Sequence, residues 1–168
     1  REEGRDLVWM GDLNVARGND DVTHPDYFAV TGGFPRPKSS PPRVQAGCSA
    51  AERARFERIL EVGALVDTYR ARPGLAPAPD PGRSPAARAA YNAGAHYTWR
   101  GDPAGAGKEY AGKGMRLDYA LVSGGLGARV VDSRILGHAL PAEEGSKLVG
   151  FCGSDHCPVL LRMQAPGG

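Results

Sequence analysis

Short apolar runs, each giving way to polar residues, set the plan of this chain. Leu7, Val8, Trp9 and Met10 predict a short buried strand ended by Gly11. If the extension continues, its period of two directs Asp12 and Asn14 to the same side. Residues 17–47 are rich in Asp, Pro, Gly and Ser with little periodicity, which predicts an extended surface connection outside the core. Ser49 with Glu52 three residues on makes a capping-box pattern, Phe56, Ile59 and Leu60 follow at helical spacing, and Gly63 can close the turn. An amphipathic helix is therefore expected over residues 49–62. Leu65, Val66 and Tyr69 suggest a brief buried segment. Proline, alanine and glycine then dominate residues 71–95, the composition of a mobile insertion. A short strand over residues 97–99 and a second insertion, the glycine-rich loop 101–114, lead into a strand over residues 116–122. Further strands are expected at residues 129–136 and 157–163. The glycine-rich loop lacks the G-x-x-x-x-G-K-[ST] spacing and no helix follows it, so it predicts no nucleotide cradle.

Composition changes this picture little. At 168 residues and 41% apolar, the chain is long enough for one domain with a real core. A net charge of +2 does not announce nucleic acid, since a sequence-blind phosphate binder carries a concentrated basic face. The excess of arginine over lysine, with abundant Gly, Pro and Ala, reads as GC-rich coding before it reads as function. Three cysteines, Cys48, Cys152 and Cys157, lack a disulfide-framework spacing and favour a reducing, intracellular compartment. No apolar run approaches the roughly 20 residues that span a bilayer, so a soluble protein with no membrane partner is expected. The first residue is Arg1 and a strand follows almost at once, which suggests a chain whose beginning is missing.

Candidate chemistry lies where apolar runs end. In WMGDLNVA, a carboxylate (Asp12) and an amide two residues on (Asn14) suit a metal-bound water facing a phosphate, although both are also ordinary turn residues. In RLDYALVS, Asp118 interrupts an apolar alternation, with Ala120 and Val122 on its own face. A carboxylate so placed needs a cation or donors nearby, and a structural arginine pair would serve equally well. In GSDHCPV, Asp155 and His156 precede a strand and can serve different targets. If Asp118 accepts a hydrogen bond from one ring nitrogen of His156, the tautomer is set and the charged form favoured, making His156 a donor to a phosphate oxygen. A zinc site built on Cys152, His156 and Cys157 competes, but Cys48, His24, His96 and His138 do not supply the paired spacing of a closed site. Cys152 and Cys157 then read as small buried residues.

Taken in order, GDLNVA, YTW, RLDY and GSDHCPV resemble the C-terminal half of the exodeoxyribonuclease III type of apurinic/apyrimidinic endonuclease. That family lies within the endonuclease/exonuclease/phosphatase superfamily. Asp21 and Pro25 match its D-x-x-x-P spacing, and QAGCSAAER is similar to the segment leading into its helix. The resemblance implies a four-layered α/β sandwich, of which only the C-terminal half is present. It also implies divalent-metal-dependent incision of DNA on the 5′ side of an abasic site, with 3′-5′ exonuclease or 3′-phosphodiesterase activity as companions. Asp12 would activate the attacking water, Asn14 would orient it, and Asp118 would hold His156 against the scissile phosphate. Asp155 would bind metal together with Asp12, Asn14 and His156. The expected cofactor is Mg²⁺, with Mn²⁺ as a substitute. The expected partner is double-stranded DNA containing abasic sites, bound by a monomer in the nucleus or a DNA-containing organelle if the source is eukaryotic. A pocket for the abasic sugar would be lined by Trp99, Met115 and Leu117, with Met115 standing where many relatives carry tryptophan. The family's N-terminal half, which supplies a further glutamate, asparagine and tyrosine of the site, has no counterpart here. The chain alone is therefore expected to be an incomplete enzyme. The D-x-N and S-D-H elements also recur in phosphodiesterases acting on RNA or lipid headgroups, and a noncatalytic DNA-binding fragment is the third reading.

Overall fold

The chain's computed structural model describes residues 5–30, 44–80, 82–101, 110–136 and 154–165. Its centre is β5 (Asp118–Ser123), flanked on one side by β1 (Val8–Asp12) and on the other by β2 (Leu65–Asp67), both antiparallel to it. Ala120, Leu121 and Val122 are fully buried, which is why this strand reads as a nearly unbroken apolar run. Tyr119 and Leu121 pack on Val15 and on Phe56 and Leu60 of α2 (Ala50–Gly63). Two smaller antiparallel pairs complete the sheets: β3 (Trp99–Arg100) with β4 (Gly114–Met115), and β6 (Val130–Ile135) with β7 (Val159–Met163). Short helices α1 (Pro25–Val30), α3 (Pro85–Asn92) and α4 (Gly124–Gly127) occupy the connections.

The helix begins as its sequence predicts: the Glu52 N–H donates to Ser49 Oγ at 3.2 Å, and the Ser49 N–H donates back to Glu52 Oε2 at 3.0 Å. It ends differently. Gly63 stays helical and Ala64 takes the left-handed conformation, at φ 45°. Gly63 serves space instead, since a Cβ there would stand 2.8 Å from Cγ of Leu65.

Three expectations need correction. β1 is not buried: Leu7, Val8, Trp9 and Met10 keep 37–47% of their surface exposed, because successive side chains project to opposite faces and the described residues cover neither face of this edge strand fully. The segment after it is not all surface. Asp21, Val22, Thr23 and Phe28 are buried, while residues 31–43 lie outside the described residues. Within the stretch expected to be a mobile insertion, α3 is docked: the buried Arg88 guanidinium donates to the carbonyls of Asn19 (3.0 Å) and Val22, and the Asn92 amide donates to the Thr23 carbonyl at 3.0 Å. Composition alone misses this, because the anchor is an arginine whose terminal nitrogen donates to carbonyls of a distant turn. Of the second expected insertion, residues 102–109 lie outside the described residues.

What unites these pieces is charged. The Arg116 side chain, 1% exposed, donates from Nε to Asp21 Oδ1 (2.7 Å) and from both terminal nitrogens to Asp67 (3.0 and 2.7 Å). Its guanidinium also lies 4.4 Å from the Tyr119 ring centroid and 5.2 Å from that of Tyr69. Arg70 adds a second cation to Asp21. Burial alone would push the Asp21 carboxyl upward, but Arg116 and Arg70 outweigh it and hold the group below its ordinary range. Among the described residues, replacing Arg116 by methionine would leave buried Asp67 with only the Arg17 guanidinium at 3.8 Å as cation, and Asp21 with Arg70 alone. Arg116→Met is expected to cost about 3–5 kcal/mol in urea unfolding, and a loss under about 1 kcal/mol would show that the network does not bear on stability.

Candidate active site

The acids converge because of strand register. Asp12 pairs directly with Asp118 across β1 and β5, so both side chains leave the same face at the end of the ladder. The chain then turns instead of extending. Asn14 is left-handed at φ 51°, and its N–H donates to Asp12 Oδ1 at 2.8 Å, the short-range loop that Asp and Asn favour. Asn14 therefore follows Asp12 through a turn and not through strand alternation. Gly47 packs against that turn, where a Cβ would come within 2.5 Å of the Asn14 carbonyl oxygen.

Just before β3, Thr98, fully buried, accepts hydrogen bonds at Oγ1 from the N–H groups of Leu117 (2.9 Å) and Asp118 (3.0 Å). Its carbonyl accepts from the Cys157 N–H at 2.6 Å, and the Arg100 N–H donates to the Asp155 carbonyl at 2.9 Å. Trp99 bridges His156 between those two bonds. Thr98, Trp99 and Arg100 thus stitch the loop carrying Asp155 and His156 to the start of β5. Sequence reasoning missed Thr98 in this role, because a threonine in a short strand needs no special explanation.

The result is a half-buried pair: His156 Nδ1 lies 2.8 Å from Asp118 Oδ2. The aspartate can only accept, so Nδ1 carries the hydrogen and Nε2 is left for another partner. The imidazole is held above its ordinary range, first by this hydrogen bond, against the opposing effect of burial, and then by the charges of Asp118, Asp12 and Asp155. One ring thus senses all three carboxylates. Asp155, itself exposed, accepts a hydrogen bond at Oδ2 from the Trp99 indole at 3.0 Å. An open cleft of about 420 Å³ reaches the pair, lined by Met10, Gly11, Asp118, Ser154, His156 and Val159 among others.

None of the three expected pocket residues lines this cleft. Met115 and Leu117 are buried in a core cluster with Ala16, Val22, Phe28 and Tyr110, and line no part of the cleft. Trp99 packs on that cluster and remains half-exposed beside Asp155. The backbone direction of β4 turns Met115 inward, so the core takes the side chain expected to face a sugar.

The donor chemistry can be tested against a metal. Among the described residues, no three His, Cys, Asp or Glu side chains lie close enough together to enclose an ion. Cys157 is buried with Tyr69 and Ile135, and Cys152 lies outside the described residues, so the zinc arrangement finds no support there. With Asp118 engaged by His156, Asp12 and Asp155 remain as hard oxygen donors. That set fits Mg²⁺, which takes one or two carboxylates and fills its octahedron with water and substrate phosphate.

A family model described as Endonuclease/Exonuclease/phosphatase family matches residues 1–156, and the chain belongs to that family. Over 162 residues it is 36% identical to a DNA-(apurinic or apyrimidinic site) endonuclease of Arabidopsis thaliana, covering 95% of this chain and 38% of that protein. Over 166 residues it is 34% identical to a protein of the same name in Plasmodium berghei, covering 98% of this chain and 28% of that one. The chain thus spans 38% and 28% of the length of these two curated relatives. Among solved structures it superposes on a 3′ phosphatase from Neisseria bound to product DNA hairpin, at TM-score 0.59 and 24% identity, covering 98% of this chain and 48% of that one. An AP endonuclease from Archaeoglobus fulgidus gives TM-score 0.57 and 24% identity, covering 95% and 46%. These likenesses carry the fold: the described strands and helices are about half of the endonuclease/exonuclease/phosphatase α/β architecture. No helix among the described residues is long and apolar enough to cross a membrane.

The raised imidazole value yields a pH signature. A group whose folded-state value lies above its ordinary 6.5 adds stability that is complete below that pH and fades as pH climbs through the raised value. In Asp118→Asn, the His156 ring should titrate lower by NMR, and the parent's stability advantage over the variant should shrink as pH rises out of the acid side. An unchanged His156 titration in that variant would refute the coupling.

Proposed function

We propose that the protein is a DNA repair nuclease that hydrolyses the phosphodiester on the 5′ side of an abasic site, and that this chain supplies a large part of its active site. The observation that carries this reading is the Asp118–His156 hydrogen bond at 2.8 Å, with Asp12 paired to Asp118 across the strands and Asp155 next to His156 in sequence. The names of the relatives, abasic-site endonucleases at 34–36% identity, point to the substrate.

In this reading Asp12 takes the proton of the attacking water, and the turn that ties Asn14 to Asp12 places an amide beside it to orient that water. The water oxygen bonds to phosphorus as the phosphorus–O3′ bond breaks, and the departing oxygen takes up a proton. His156, charged through Asp118, donates from Nε2 to a non-bridging phosphate oxygen, where negative charge grows in the transition state. A protonated imidazole is a poor metal ligand, so this role excludes coordination by His156 at the same moment. Asp155 and Asp12 would hold Mg²⁺, which when bound neutralises phosphate charge as a Lewis acid. Trp99 offers a half-exposed aromatic face next to these groups for the sugar side of the substrate.

Full-length protein should nick a duplex carrying one abasic site in Mg²⁺, lose the activity in EDTA, and regain it with Mg²⁺ or Mn²⁺. His156→Ala should lower kcat on the order of 10²–10³-fold, the scale for removing one transition-state donor. Undiminished nicking by that variant would overturn the assignment. Turnover of an RNA or lipid-headgroup phosphodiester in preference to abasic DNA would move the substrate to another branch of the family.

A further inference from the structure

Asp155 is exposed and sits in a loop, so by itself its carboxylate would sample several rotamers. Two bonds oppose this. Its carbonyl accepts the Arg100 N–H at 2.9 Å, and its Oδ2 accepts the Trp99 indole N–H at 3.0 Å. The indole is itself well anchored: its ring meets Tyr110 edge-on at 5.7 Å, Tyr110 meets Tyr27 at 5.9 Å, and the backbone of Trp99 pairs with Met115. Indole nitrogen is a donor only, carries no charge and occupies one lone pair, so Oδ1 and the rest of Oδ2 remain open to a cation.

We propose that Trp99 is a positioning residue: its indole N–H orients the Asp155 carboxylate so that its free lone pairs face a divalent cation. The inference rests on the reading of Asp155 as a cation ligand given above, and adds a task to a side chain that would otherwise serve only as an aromatic wall. Partners of this kind, bonded to a metal ligand and not to the metal, commonly change affinity 10–100-fold when removed.

Trp99→Phe keeps the ring on the Tyr110 cluster and deletes only the N–H donor, and Mn²⁺ affinity of the full-length protein can be read by the EPR signal of free Mn²⁺. Binding should weaken about tenfold in Trp99→Phe with its melting temperature held. In the Asp155→Asn background, the same substitution should have almost no further effect, since Trp99 acts through that carboxylate. Equal Mn²⁺ affinity in parent and Trp99→Phe would overturn the positioning role alone. A weakening that persists undiminished in Asp155→Asn, or that tracks a fall in melting temperature, would also overturn it by assigning Trp99 to packing. A parent protein that binds no Mn²⁺ would overturn both this inference and the reading of Asp155 beneath it.

Discussion

The guanidinium of Arg116 ties together three segments that lie far apart in the chain: the turn at Asp21, the end of β2 at Asp67 and the approach to β5. Stripping two carboxylates and a guanidinium of water is costly, and only near-complete mutual hydrogen bonding offsets it. Here the geometry meets that demand, with bidentate contact to Asp67, a further bond to Asp21, and tyrosine rings against the cation. The Arg116 N–H also donates to the Asp21 carbonyl at 2.8 Å, so main chain and side chain are held by one partner. Because Arg116 stands two positions before Asp118, whatever fixes it also fixes where β5 begins. The Asp118–His156 pair inherits that rigidity.

A second layer of control runs through hydrogen bonds of the tripeptide Thr98, Trp99 and Arg100. These residues are too few to make a substantial strand, yet they touch the backbone of Leu117, Asp118, Asp155 and Cys157 and the side chain of Asp155. The buried Thr98 hydroxyl takes two N–H groups that would otherwise lack partners where β4 gives way to β5. Each such bond is worth little net, but leaving its donor unpaired would cost about 1–3 kcal/mol. Positions of the acids are thereby set by a network with little freedom to relax.

Electrostatics then distinguishes the carboxylates by company. Asp118 spends its charge on His156, Asp21 and Asp67 spend theirs on arginines, and among the described residues Asp12 and Asp155 accept hydrogen bonds from neutral donors. Chemistry on a phosphate needs both kinds: charge left over for a cation, and charge that keeps an imidazole protonated.

The sequence by itself singled out the acids and the histidine of the candidate site, the capped helix after Ser49 and the apolar β5, because each is written in local spacing: an acid at a strand end, a capping box, an unbroken apolar run. It also carried the family, through short motifs whose order survives insertions. What only the tertiary structure decided was how those parts meet. Asp21 fell in a stretch expected outside the core, Arg88 in one expected to be a mobile insertion, and Met115 and Leu117 in a pocket wall, yet the first two are buried and the last two are core. Burial of a charge depends on a partner tens of residues away, and the direction of Met115 depends on a two-residue strand pairing with Trp99. Neither long-range pairing nor the face a short strand presents leaves a periodic trace in one chain, so both had to be seen in space.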